Sequence, residues 1–209
     1  SIVLMIYQEF NTSFSILLLS VILAFIPLHK KGSLTIPTPF SSYPFEFTMG
    51  FRKLFLLYPA VLFLVYKSIE VGNFNLGIFA IGALIFLQMS YYFKPENKYF
   101  VWIFSDSPQK FLWRKVKESL LYSTFSLLAV LILLSIWFQG QYLILSGILI
   151  MNTLLMITII LAKYAAFPHE MSVPQLVLFA LSVWFPPVLI IAIIYFYKES
   201  IKNLKPILR

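Results

Sequence analysis

The stretch SDSPQKFLWRKVKES, residues 105–119, concentrates the groups most able to recognise a partner. Lys110, Arg114, Lys115 and Lys117 are four of the sixteen Lys and Arg in the chain, and they sit between long uncharged runs. On a helical wheel Lys110, Arg114 and Lys117 fall within about 60° of one another, and Leu112, Trp113, Val116 and Leu120 fall on the opposite side. Ser107 or Asp106 can cap such a helix, and Pro108 suits its first turn. The spacing predicts an amphipathic basic helix over 107–118 that lies along a membrane before turning into the run that starts at Ser119. Phe111 is expected on the polar side, between Glu118 and Lys115, where an exposed ring would serve as a docking knob. Packing of Phe111 on the chain's own Phe100 or Trp102, or a purely anchoring helix, is the other outcome.

Other chemistry is sparse. No Gly-rich phosphate loop and no H-E-x-x-H occurs, and nothing sets out a nucleophile, a base and an orienter. The two histidines, His29 and His169, stand at the ends of apolar runs. His169 and Glu170 are adjacent with no third ligand near, so a metal centre is not expected. There is no cysteine, which excludes thiolate chemistry and Cys-ligated metal. No catalytic residue and no cofactor is expected.

The elements around this stretch are apolar. The chain is 60% hydrophobic and 11% charged, with a mean hydropathy of +0.89. A soluble domain carries about 25% charged residues. An all-α, polytopic helical bundle in a membrane is the expected fold, in one domain over residues 1–209. Runs without Asp, Glu, Lys or Arg cover about 10–29, 54–66, 71–93, 119–138, 142–162 and 171–197. Gln139-Gly140-Gln141 marks a tight hairpin, and Phe185-Pro186-Pro187 a kink or break. The start SIVLMIY has neither the basic region nor the cleavage site of a signal peptide. In the 30–53 connection Pro37, Pro39 and Pro44 oppose a regular helix through most of its length. Its rings, Phe40, Tyr43, Phe45 and Phe47, are expected at the membrane interface.

The net charge of +8 fits loops beside anionic lipid better than nucleic acid. Basic residues cluster in the 30–53 and 94–118 connections, which are expected in the cytoplasm, with the Gln139–Gln141 hairpin outside. The tail, with Lys198, Lys202, Lys205 and Arg209, conflicts with this if the last run crosses straight. A broken or re-entrant helix would return it to the cytoplasm.

The interiors of the runs contain no Asp, Glu, Lys, Arg or His, so a carrier driven by a proton or ion is disfavoured. Their polar groups include Gln88, Ser123 and Thr158. Asn152 and Thr153 would line a polar path if the bundle holds one, and would otherwise join helices by hydrogen bonds.

The segment SPQKFLWRKVKESLLYS resembles the cytoplasmic coupling region of ABC-2 type permease subunits, over about residues 70–165. Ser107-Pro108 matches the family's short motif, and Lys115 or Lys117 its basic residue before the third span. The last segment departs from the family, being short for a re-entrant pair plus a final span. The resemblance implies the membrane half of an exporter in a bacterial inner membrane. It implies a separate cytoplasmic ATPase that pushes on 105–119, and a second permease copy or a related subunit. The competing expectation is a non-catalytic scaffold that holds a partner in a larger membrane complex. An intramembrane enzyme is not expected.

Overall fold

A computed structural model describes Thr38, Phe40 and residues 45–104 and 106–208. The apolar run 10–29 and His29 lie outside the described residues. Every regular element among the described residues is a helix, and none is a strand. Among the described residues three helices are long and apolar enough to cross a membrane, or four if a bent pair is one span.

The chain enters as α1 (Phe45–Leu54), just after Pro44, and continues as α2 (Leu57–Glu70), the two axes differing by 72°. Phe47 is fully buried against Phe40, Tyr91 and Tyr122, with ring centroids 4.7–5.6 Å apart. The expected interfacial position for Phe47 is therefore replaced by packing, because α1 turns this ring toward its neighbours. A Cβ on Gly50 would collide with the Cβ and ring of Tyr91, whose hydroxyl is 2.9 Å from that of Tyr58. Gly50→Ala is expected to lower stability by about 1–3 kcal/mol, read as a drop in the melting temperature of the detergent-solubilised protein.

The turn after α2 uses Gly72 at φ 65°, a left-handed conformation that costs glycine little. Asn73 then caps α3 (Phe74–Met89), its Oδ1 accepting from the Leu76 N–H at 3.3 Å. A 3-10 turn, Ser90–Tyr92, and a short helix α4 (Lys98–Trp102) lead to α5 (Pro108–Trp137). Ser107 caps α5, accepting from the Lys110 N–H at 3.4 Å, and Pro108 sits in the first turn, as the sequence implies.

The expected separate helix over 107–118 is not found. It is the start of one continuous 30-residue helix. No glycine and no internal proline interrupts 109–137, so nothing forces the predicted bend at Ser119. At 1.5 Å per residue, α5 is about 45 Å long, more than the ~30 Å of a hydrocarbon core.

The Gln139–Gln141 hairpin forms as expected, with Gly140 at φ 97°. It leads into α6 (Tyr142–Ala166). The predicted break at Phe185 separates α7 (Val173–Trp184) from α8 (Pro186–Leu204).

Hydrogen bonds fix the direction of this last pair. Ser200 Oγ donates to the Leu161 carbonyl at 2.8 Å, and Asn203 Nδ2 to the Ala165 carbonyl at 2.7 Å. Contacts that advance together along both chains mean that α6 and α8 run parallel. Gln175 Nε2, near the start of α7, reaches the same Ala165 carbonyl at 3.4 Å. α7 and α8 therefore form a helical hairpin that begins and ends beside the C-terminus of α6. The conflict over the tail disappears: Lys198, Lys202 and Lys205 lie at the same end of the bundle as Lys94, Lys98, Lys110, Arg114 and Lys117. Among the described residues, Lys67, paired with Glu70 at 2.6 Å, is the Lys at the opposite end.

Large side chains such as Leu62, Phe79, Phe125, Ile136 and Ile190 are exposed along the helices. That is the surface a membrane protein presents to lipid, and in water it would be an aggregation surface.

Candidate functional site: a buried ring of four charges

At the basic end, four segments bring their charged groups to one point. Glu46 comes from the first turn of α1, Glu96 from the connection before α4, Lys115 from the second turn-pair of α5 and Lys163 from the last turn of α6. Lys115 Nζ lies 3.0 Å from both oxygens of Glu46 and 3.1 Å from both oxygens of Glu96. Lys163 Nζ lies 3.0 Å from one oxygen of each. Every ammonium thus touches both carboxylates, and the formal charges sum to zero. The side chains of Lys115 and Lys163 are 3% and 1% exposed, those of Glu46 and Glu96 8% and 12%.

Aromatic groups seal the ring. The Tyr164 hydroxyl donates to Glu96 and lies 3.4 Å from Glu46. Lys163 stands 5.3 Å from the Tyr164 ring centre and 5.8 Å from that of Tyr92. Lys115 stands 5.6 and 5.7 Å from those of Phe104 and Phe111. Such contacts favour a desolvated cation. Beneath the ring, Tyr92 donates to Ser119 Oγ at 2.7 Å, with both side chains fully buried or nearly so. Burial pushes the Glu96 carboxyl above the usual carboxylate range, and the neighbouring Glu46 adds to this while Lys163 and Lys115 oppose it.

The sequence-predicted docking set divides. Lys110, Arg114 and Lys117 are exposed, with Arg114 pairing with Asp106 and standing 5.2 Å from the Phe104 ring centre. Phe111 and Lys115 are buried, so neither forms part of an exposed knob. The buried arc of α5 runs through Phe111, Lys115, Ser119, Leu112 and Val116, turned by about 80° from the arc that hydrophobicity alone predicts. The cause is the ring, which draws a lysine and a serine inward. Trp113, expected on the inward side, is 70% exposed.

Asn152 is fully buried, and its amide has no hydrogen-bond partner; Gln88 is fully buried too, its amide approaching only the Tyr58 hydroxyl. Thr153 donates to the Leu149 carbonyl of its own helix at 3.0 Å.

Glu46, Glu96, Lys163 and Tyr164 flank the uncharged runs and Tyr92 lies within one, so nothing in the sequence joins the five as a site. One signal was present. No helix breaker follows Lys163 until Phe167-Pro168, so α6 carries Lys163 and Tyr164 inside its last turns. Among the described residues no group of three or more His, Cys, Asp or Glu could hold a metal ion.

The fold and site define a helical membrane protein with an internal ion-pair network at its basic end. Compared with known protein families, curated proteins and solved structures, the chain matches none.

Proposed function

We propose that this chain is a membrane-spanning permease subunit of an ATP-driven exporter, moved by a separate cytoplasmic ATPase that contacts the start of α5. The observation that carries this reading is the continuity of α5. Its exposed cations Lys110, Arg114 and Lys117 stand on the same rigid rod as its membrane-crossing part. About ten of its residues exceed what the hydrocarbon core can cover. A push on that basic end travels into the bilayer with no hinge to absorb it.

The gathering of Lys and Arg at one end supports a cytoplasmic position for that end. With the run 10–29 as one segment, the bent pair α1–α2 as another, then α3, α5, α6 and the α7–α8 hairpin, the chain has six hydrophobic segments. The inner membrane of a bacterium and a second permease copy follow from the ABC-2 resemblance.

Two measurements test the reading. Purification from the native membrane in mild detergent should bring down a chain with a P-loop, identified by mass spectrometry. Replacing Lys110, Arg114 and Lys117 together by Ala should lower recovery of that chain at least about tenfold, with the melting temperature unchanged, since exposed cations contribute little to folding. A full yield of ATPase with the triple variant removes the docking role.

The second reading, a scaffold in a larger membrane complex, is favoured by the apolar surface at the opposite end. There Leu143, Trp184 and Phe185 are 84%, 82% and 65% exposed. Co-purification with membrane chains alone would select it.

A further inference from the structure

We propose that the Glu46–Glu96–Lys115–Lys163 ring is a gate, closing the basic end of a polar seam that descends among α3, α5 and α6 to Asn152 and takes water and small hydrogen-bonding solutes. The gate deepens the transport reading, because a static scaffold needs none.

Two features point to it. The first is the ring itself. Its carboxylates come from α1 and the 93–97 connection, and its ammoniums from α5 and α6. Separation of those two halves opens the ring, and either half keeps like charges that hold water once exposed. The second is what lies beneath. Gln88 is one turn before Tyr92 on α3 and its continuation, and Ser123 is one turn beyond Ser119 on α5. Asn152 is eleven residues before Lys163 on α6, about 16 Å deeper and within about 20° of the same helix face. Gln88, Ser119, Ser123 and Asn152 are all fully buried.

The amide of Asn152 has both its nitrogen and its oxygen without partner, and that of Gln88 meets only the Tyr58 hydroxyl, without the geometry of a full hydrogen bond. Each amide left dry costs about 1–3 kcal/mol, and a buried water removes that cost. Asn152 lies below the one buried charge cluster among the described residues, on the face of α6 that carries Lys163.

The chain has no cysteine, so a single introduced thiol reports unambiguously. Ser123→Cys is a small change, as the Ser123 hydroxyl donates only to its own helix, at Leu120. In membranes open at the basic end, a charged, membrane-impermeant thiosulfonate should modify Ser123→Cys slowly. Adding Glu96→Gln or Lys115→Met should speed modification at least about tenfold, and the swap Glu96→Lys with Lys115→Glu should bring it back toward the starting rate. Unchanged rates in folded single variants overturn the gate.

A second measurement uses the unaltered chain and guards against variants that do not fold. Met156, fully buried one turn from Asn152, should be oxidised by radiolytic hydroxyl radicals generated from bound water. A Met156 that stays unoxidised while exposed Met49 reacts overturns the hydrated seam. Neither readout needs an ATPase. A modified thiol with no P-loop chain in the purified complex would keep the gate and remove the motor.

Discussion

Replacing Lys163 by Met is expected to cost about 3–5 kcal/mol of stability. The change removes one ammonium from between two carboxylates that are themselves almost wholly buried. Breaking one member of a buried ion pair leaves an uncompensated charge, and that residue of charge rather than the lost attraction sets the magnitude. Here the survivor, Lys115, already contacts both carboxylates and cannot move to replace its partner. The effect should appear as loss of monodisperse folded protein after extraction and a fall in melting temperature. Combining Lys163→Met with Glu96→Gln restores the charge balance, so the double variant should lose less than the sum of the two singles. Strict additivity would mean that the ring does not act as a unit.

Phe111→Ala is expected to be nearly as damaging, at about 3–5 kcal/mol. Its ring is fully buried, with centroids 5.5 Å from Phe104 and 5.2 Å from Tyr164, both near perpendicular or steeply inclined. It also forms part of the wall behind Lys115. Truncation opens a cavity beside a buried charge and frees Tyr164, which donates to Glu96. Of the two placements the sequence allows for Phe111, an exposed docking knob and packing on the chain's own rings, this outcome belongs to the second, with Phe104 and Tyr164 as the rings. A thermal melt and a co-purification on one preparation separate the two: the melting temperature should fall, and the fraction that remains folded should bind its partner as before.

The contrast shows how far the residues could be read unaided. Turns and caps were legible because their chemistry is local. Ser107 with Pro108, the Gln139–Gln141 turn and the break at Phe185 each act within a few residues of themselves. The inward face of α5 was not legible. Hydrophobic periodicity assigns Lys115 to water, and only Glu46 and Glu96, 69 and 19 residues away, turn it inward. A contact of that separation leaves no periodic trace, and neither acid is distinguished by its neighbours. The length of α5 was missed for a related reason. A change from polar to apolar composition at Ser119 marks the membrane boundary and says nothing about where a helix bends. Lys163 escaped because it begins the first polar stretch after an uncharged run, where a lysine ordinarily meets solvent.

The hairpin of α7 and α8 has a consequence for biogenesis. Both of its ends are held at the Ala165 carbonyl, so the polypeptide leaves the bilayer on the side from which it entered. Lys198, Lys202 and Lys205 then never have to be translocated. The two helices can enter the bilayer as a preformed pair from the side that carries the basic end, without drawing on the energy that moves charge across a membrane.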